Sequence, residues 1–548
     1  MKNFNPMLFT DLKHYDSKRF LSDVVSGIIV AVIALPLSIA LAIASGVSPE
    51  AGIYTAIVAG FLTAFFGGSS VQIAGPTAAF ATIVAGVVAR SGTDGLALAT
   101  VVAGILLLVM GLLGLGSLIR FIPYTITTGF TAGIAVTLVI GQLKDFCGVR
   151  YPQGVSPIET IDKLKAFCEN IATVNFEAVA VGAVCLAVLF LWPKLSDKIP
   201  ASLIAVAVGI ALTRLLFRNV LTIGDQFTLS SRLPSFRLPP FSFEKLSAVL
   251  PDAITIAVLA GIESLLSCVV ADGMVNKKHR SNTELCAQGI ANIGSALFGG
   301  IPATGAIART AANIRNGGRT PVSGMVHSAV LLLILVLLMP YASYIPMPAI
   351  AAILIHVAYN MCGIKNVVRV LKTSPKSDIA VLIVTFALTV LFDLVVAIGV
   401  GVGMACVLFM KRMSDESGIS GWKYDENDET LHKLPRYVRV YDISGPMFFA
   451  VASKLNELTV KDFTRCVVLR MRGVPALDTD ALRGLSAFCS DCKKKNIRVI
   501  FSHVNAQPLA AMKKSGLYAE VGKENYFDNI EAALTAASQT PHEEADVK

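Results

Sequence analysis

Charge is what this sequence is short of. Asp, Glu, Lys and Arg make up 16% of its 548 residues against 54% hydrophobic, and the mean hydropathy is +0.66. A soluble domain carries about 25% charged residues, so the ordinary soluble classes are excluded and a multi-span protein with the lipid bilayer as its solvent is left. A cysteine framework is missing too. The ten cysteines are scattered, most of them in apolar runs or in the C-terminal region, which excludes a disulfide scaffold. Cys147 and Cys168 share one loop and could pair in an oxidising compartment, or stand as two free thiols. Cys489 and Cys492 have CxxC spacing without a second pair, which speaks against a metal or redox site. No cofactor is called for. A cleavable leader is not evident, because the first apolar run, about 20–44, is long enough to span and is followed at once by another. The net charge of +9 does not imply nucleic acid, since many Lys and Arg lie in short loops beside spans, where the positive-inside bias accounts for them.

What is present is a repeated pattern. Apolar segments lie near 20–44, 51–66, 77–90, 94–115, 122–142, 176–193 and 200–217, and again near 249–272, 284–298, 304–314, 321–341, 346–361, 377–392 and 394–411. Each set has seven members, and the third of each is short. Leu118 to Pro123 opens the fifth segment as Tyr341 to Pro346 opens the twelfth, the spacing expected of an internal repeat. Seven is odd, so the two halves are inverted relative to each other. Lys13, Lys18 and Arg19 place the N-terminus in the cytoplasm. The clusters at Lys194 and Lys198, Lys277 to Arg280, and Arg369, Lys372 and Lys376 fall on the same side, although the opposite loop at 218–247 also holds basic residues.

The two short segments carry the functional signal. Phe66 to Phe80 reads FGGSSVQIAGPTAAF and Leu297 to Arg315 reads LFGGIPATGAIARTAANIR: in each, Gly-Gly and a short strand-like run lead into a small-residue helix. Paired interrupted segments in corresponding places mark the substrate site of repeat-built transporters. A helix that begins inside the bilayer offers unpaired N–H groups and the positive end of its dipole to an anion. Such backbone is tolerated at that depth only if it is buried in protein or lines a cavity. Thr77 and Thr304 are expected to start the two half-helices, each with a hydroxyl toward the gap or as a plain N-cap.

Few ionisable residues lie inside the spans. Glu263 sits mid-way along the eighth segment, where a charge costs roughly 2.5–3.5 kcal/mol on insertion scales. It reads as the carrier of a coupling proton or, with Ser267 one turn on, of a sodium ion; the alternative is a structural pair with Arg309. Arg309 is expected about one and a half turns into the second half-helix, either balancing charge at the site or snorkelling to the interface. His327 and His356 read as packing residues or as coupling groups, and Asp393 as an interfacial residue.

Past Lys411-Arg412 the pattern becomes that of a soluble α/β domain. Strands are expected at Tyr437–Ile443, Cys466–Met471 and Ile497–His503, with helices near 450–458, 478–494 and 506–515. The predicted organisation is an N-terminal cytoplasmic segment 1–19, a transmembrane domain 20–413 (repeats about 20–217 and 249–413), a linker 414–435, an α/β domain 436–538 and a disordered tail 539–548.

The run ADGMVNKKHRSNTELCAQGIANIGSALFGGIPATGAIARTAANIRNGGRTPVSG resembles the core of the SulP anion transporters, and the C-terminal region resembles the STAS domain, also found in anti-sigma-factor antagonists. The resemblance covers nearly the whole chain. It implies an α-helical polytopic membrane protein of 14 segments in a 7+7 inverted repeat, with core and gate subdomains, acting as a homodimer by an elevator-like motion. It places substrate between the third and tenth segments, here at Thr77 and Ala78 and at Thr304, Gly305 and Ala306, with Arg309 retained, and ion coupling at Glu263. LTVLFDLVVAIGVGVG and VPALDTDAL are most similar to the bacterial branch that includes proton-coupled C4-dicarboxylate carriers. SPEAGIYTAI matches the signature of eukaryotic sulfate carriers only in part. Where anti-sigma antagonists carry a phosphorylatable serine, this chain reads Leu477-Asp478-Thr479-Asp480, so that Thr479 is either a modification site or, with Asp478, a helix cap. The function expected is secondary active transport of a small carboxylate, sulfate or bicarbonate with a proton or Na+ across the bacterial inner membrane. Both termini are then cytoplasmic, and the STAS domain is open to a cytoplasmic partner. An uncoupled anion channel or exchanger and a membrane-tethered STAS signalling protein are the rivals.

Overall fold

The structure is a computed structural model that describes residues 4–117, 123–152, 157, 159–196, 199–392, 394–422, 435–451, 454, 458, 460 and 463–540. The chain divides into two compact units, Met1–Val402 and Gly403–Lys548.

In the first unit every expected apolar segment forms a helix. In order these are α1 (Met7–Asp11), α2 (Ser17–Ala44), α3 (Pro49–Phe66), α4 (Ala78–Leu112), α5 (Tyr124–Cys147), α6 (Thr160–Glu169), α7 (Phe176–Leu195), α8 (Ala201–Leu215) and α9 (Ile223–Gln226). Then come α10 (Phe243–Val275), α11 (Ser281–Leu297), α12 (Ile307–Arg315), α13 (Val322–Leu338), α14 (Met347–Cys362), α15 (Ile364–Thr373), α16 (Lys376–Leu391) and α17 (Leu394–Glu416), which runs on into the second unit. Among the described residues nine helices are long and apolar enough to cross a membrane. The third and fourth segments form one helix, α4, interrupted at Gly92, whose φ of 70° breaks the helical path where two separate segments are expected. The repeat shows at the helix starts: α5 follows Pro123 and α14 follows Pro346, each ring fixing the backbone for the first turn that comes after it. Leu118 to Ile122, and Asp393, lie outside the described residues.

The helices pack in two groups. In one, α4 lies against α10 and α11, while α13 lies against α2 and α3; in the other, α5 lies against α14 and α16, and α7 against α8 and α14. Small residues set the spacing of the first group. A Cβ on Gly104 of α4 would stand 2.7 Å from the Gly289 carbonyl of α11, and one on Gly289 would stand 2.6 Å from the Gly104 carbonyl. The backbones thus approach as closely as small-residue interfaces in lipid allow.

The second unit holds a mixed five-stranded sheet in the order β3-β4-β5-β6-β7, comprising β3 (Gly418–Gly421), β4 (Val438–Ser444), β5 (Cys466–Gly473), β6 (Arg498–Ser502) and β7 (Tyr526–Phe527). The β3–β4 pair is antiparallel and the others are parallel. Helices α18 (Thr479–Lys494), α19 (Ala506–Ser515), α20 (Leu517–Val521) and α21 (Ile530–Ser538) complete it. The strand β3 lies in the stretch read as linker, and the helix expected at 450–458 falls largely outside the described residues. Asp478 is the N-cap of α18, its carboxylate accepting from the Ala481 amide at 2.9 Å and the Phe449 amide at 2.8 Å. That is the capping role expected of Asp478. Cys489 and Cys492 point into the domain core. Burial pushes both thiols up, Cys492 to about 11, so both stay protonated at neutral pH, and nucleophilic redox chemistry, which needs the thiolate, has little reagent there.

Candidate functional site

Two extended stretches cross between the helices of the first group. Residues 67–77 run from α3 to α4, residues 298–306 run from α11 to α12, and they meet as a two-residue antiparallel pair of β1 (Ala74–Gly75) and β2 (Thr304–Gly305), in the register Ala74↔Gly305 and Gly75↔Thr304. Because the strands run in opposite directions, α4 and α12 leave the crossing in opposite directions with their N-termini on either side of it.

Extended backbone buried among helices must find its hydrogen bonds in side chains, and it does. The Gly68 amide donates to Glu284 Oε2 at 2.9 Å and the Ile73 amide to Thr310 Oγ1 at 3.1 Å. The Ile301 amide donates to Thr55 Oγ1 at 2.7 Å, the Gly305 amide to Ser264 Oγ at 3.0 Å, and the Ala303 amide to Asn292 Oδ1 at 2.9 Å. Gln72 is the hub. Its Nε2 donates to the Ser264 carbonyl (3.1 Å) and Glu284 Oε1 (3.4 Å), and its Oε1 accepts from Ser267 Oγ (2.9 Å). Gln72, Ser264, Glu284, Asn292 and Thr310 were not among the expected site residues; the signal that could have found them is polar side chains in otherwise apolar segments, each 4% exposed or less.

The tips themselves are left open. Thr77 is the N-cap of α4, yet its side chain accepts no hydrogen bond from the helix; its hydroxyl meets Glu263 Oε2 at 2.9 Å instead. The N-cap of α12 is Ala306, which has no side-chain oxygen at all. Neither N-terminus therefore has a capping side chain; in α4 the Phe80 amide turns back to the Thr77 carbonyl at 3.2 Å, and the two amides before it keep their donors. The second short helix starts three residues later than expected. Thr304 is drawn into the strand pair and is fully buried, with its hydroxyl 2.6 Å from Ser264 Oγ and 3.1 Å from the Ala260 carbonyl, and so faces α10 rather than the gap.

That shift makes Arg309 the third residue of α12, in the first turn rather than one and a half turns in. It is 3% exposed and does not snorkel. Its guanidinium crosses to the other tip: Nη2 donates to the Pro76 carbonyl at 3.1 Å, and Nη1 lies against Gly75 with no hydrogen-bond partner. Among the described residues Arg309 and Glu263 form no ion pair, so the structural pair weighed from the sequence is not formed. Ser267 is also turned away from Glu263, toward Gln72 and, at 3.4 Å, Thr310 Oγ1. Of the expected site residues, the structure thus groups Thr77, Ala78, Glu263, Ala306 and Arg309 about the tips, while Thr304, Gly305 and Ser267 brace the crossing behind them. A cavity of about 530 Å³ flanks α4 from Ala79 and Thr82 out to Arg90, with Asp252, Thr389 and Phe392 on its other walls.

The two histidines differ. His356 Nε2 pairs with Asn360 Nδ2 at 3.0 Å and its ring stands edge-on to Phe190, as a packing residue would. His327 on α13 is fully buried with neither ring nitrogen hydrogen-bonded.

The sequence pattern of the sulfate permease family matches residues 20–385, and that of the STAS domain matches residues 431–533. The chain is 38% identical over 533 residues to YvdB of Bacillus subtilis, whose name assigns it provisionally to sulfate transport, covering 94% of this chain and 98% of that one. It is 31% identical over 555 residues to the bicarbonate transporter BicA of a Picosynechococcus strain, covering 97% and 96%. In fold it is similar to the inward-facing structure of the murine anion transporter Solute Carrier 26 family member A9, with a TM-score of 0.87 at 17% identity over 97% of this chain and 94% of that one. With a family match over most of its length, carried through the crossing that holds both helix tips, the chain belongs to the sulfate permease family and has the helical membrane transporter fold with a C-terminal STAS domain.

Proposed function

We propose that this protein is a proton-coupled secondary transporter of small anions in the bacterial inner membrane, with its anion seat between the tips of α4 and α12. The observation that carries the reading is the pair of N-termini without a capping side chain, with the buried Arg309 laid across them. The first amides of each helix attract negative charge, and a buried guanidinium with an unpartnered Nη1 adds a full positive charge beside them. Glu263 supplies the coupling group. Its carboxyl touches the N-cap of α4 through Thr77, so a proton gained or lost there changes the field at the seat directly. Proton coupling is favoured over sodium because the Ser267 hydroxyl, the second oxygen a sodium ion would need on this helix face, is committed to Gln72 and Thr310.

The seat suits sulfate, bicarbonate or a C4-dicarboxylate: each presents carboxylate-like oxygens that accept from amides and a guanidinium. The names of the relatives favour sulfate and bicarbonate. The division of the helices into two packing groups supports an elevator-like cycle in which the group bearing both tips moves against the other, and the protein works as a homodimer with both termini in the cytoplasm, where the STAS domain meets a partner. The test is uptake by proteoliposomes of the full chain under an imposed pH gradient, with labelled sulfate, bicarbonate, succinate and fumarate. Accumulation of at least one anion against its gradient, collapsed by a protonophore, is expected. Equilibration without accumulation would assign the protein to the channels, and no flux at all would leave its function with the STAS domain.

A further inference from the structure

Among the described helices α15 is the most one-sided. Gly363, at φ 56°, ends α14 in the left-handed region and turns the chain. After the ten residues of α15, Ser374-Pro375 lead into α16. Since α14 and α16 are read as spans, α15 between them lies where lipid gives way to water. Ile364, Val368 and Leu371 recur at i, i+4 and i+7 and so share one edge. They are 50%, 40% and 42% exposed, and the single buried side chain of the helix is Val370. Lys365, Arg369 and Lys372 follow each of them by one residue, all exposed, and form a second row beside the first. Among the described residues none of the three is in an ion pair, and the helix has no acidic residue.

The corresponding helix of the other repeat, α6, follows the fifth segment as α15 follows the twelfth. It has Lys163 and Lys165 but also Asp162 and Glu169, and Lys165 lies 4.0 Å from Glu169. A positive-inside bias would place lysines on one side of the membrane, but it would not arrange them as a row flanking an apolar edge. A row of cations without counter-charges beside an apolar edge fits a surface that is apolar inside and negative at its rim.

We propose that α15 is a membrane-surface anchor whose Ile364–Val368–Leu371 edge enters the headgroup–acyl boundary and whose Lys365–Arg369–Lys372 row takes the phosphates of anionic phospholipids. It fixes one end of the α14–α16 pair to the leaflet surface. The inference depends on the reading of α14 and α16 as spans and not on the anion seat, so its failure would leave the transport proposal standing.

The full chain in nanodiscs of phosphatidylcholine with increasing phosphatidylglycerol, followed by amide hydrogen exchange, tests it. Exchange over residues 364–373 slows by roughly tenfold or more as phosphatidylglycerol rises. In the variant carrying Lys365→Gln, Arg369→Gln and Lys372→Gln the slowing disappears while protection of α10 is unchanged. Equal protection in neutral and anionic discs, for which the wild-type protein alone suffices, overturns the proposal. So does protection in neutral discs on adding inorganic phosphate, which would mark a soluble-anion site, and so does loss of a dimer on replacing Ile364, Val368 and Leu371 by Ser, which would make the edge an interface between copies.

Discussion

The two broken segments use the same backbone device with unequal charges. Each repeat sends an extended stretch across the other and starts a helix beyond the crossing. The α4 tip, however, receives its acid from a neighbour, through Thr77 and Glu263 of α10, whereas the α12 tip carries its own base, Arg309, and delivers it across the crossing to Pro76. The helices differ in kind as well: α4 continues past Gly92 as a long span, and α12 ends after nine residues at Arg315. In the transport proposal, the shared geometry is what makes the crossing a seat for anions from either direction. Unequal charge would then give that seat a direction of control, since among the described residues the carboxyl that contacts a tip, Glu263, meets the first helix and the cation reaches both. Binding is therefore expected to depend on both tips and coupling on the α4 side alone.

The sharpest way to break this contrast is at the acid. Glu263→Gln keeps the shape and the contact with Thr77 but removes the titrating group. Accumulation driven by a pH gradient should fall by at least about a hundredfold, or some 2.7 kcal/mol, while exchange of labelled for unlabelled anion across the same vesicles persists. Unimpaired accumulation would remove Glu263 from the coupling role and with it the assignment of control to α4.

The next effect is at the crossing, where two glycines face unequal neighbours. A Cβ at Gly305 would run into the amide of Gln72, which is tied to Ser264, Ser267 and Glu284, whereas one at Gly75 would meet the end of the Arg309 side chain. Gly305→Ala should cost about 1–3 kcal/mol of stability by overpacking, lowering the unfolding temperature in detergent. Gly75→Ala should displace the guanidinium, weakening anion binding several-fold with a smaller thermal shift. Equal thermal losses in the two variants would mean the two sides of the crossing are equally rigid.

Much of this was legible in the sequence because it rests on local pattern. Gly-Gly, a small-residue helix and a second copy at the same place in the other half located both tips, and a carboxyl in an apolar run located Glu263. What was not legible depends on long-range pairing. Thr304 was expected to begin a helix, as an N-cap residue before an alanine-rich run reasonably does, but pairing with β1 extends the chain through Gly305 and moves the start to Ile307. The same shift brings Arg309 back toward the tip and buries it. Gln72 and Glu284, more than two hundred residues apart, look in the sequence like stray polar residues, and only the fold reveals that they hold the crossing together.

The two threonines divide along the same line. Thr77→Val removes the hydroxyl that links the α4 cap to Glu263, so fewer protons should move per anion while the unfolding temperature stays near that of the parent. Thr304→Val removes a buried hydroxyl bonded to Ser264 and to the Ala260 carbonyl; it should cost roughly 1–3 kcal/mol of stability and leave the proton-to-anion ratio intact. Ratios measured from parallel pH-dye and tracer uptake, beside thermal unfolding, separate the two roles; a changed ratio in Thr304→Val would put that residue at the seat after all.

The smallest expected effect tests the openness of the tips. Ala306 is the N-cap of α12 and offers no oxygen to the first turn. Ala306→Ser supplies one, and a serine cap is worth about 0.5–2 kcal/mol to a helix. If the first-turn amides are donors held for the anion, the new hydroxyl competes for them, so the protein should gain slightly in thermal stability while its affinity for anion drops by a few-fold. Ala306→Gly, which improves the cap without adding an acceptor, should leave the affinity for anion unchanged. A serine variant that is both more stable and fully as tight a binder would show that those amides are not what holds the substrate, and the burden would pass to Arg309 and the α4 tip.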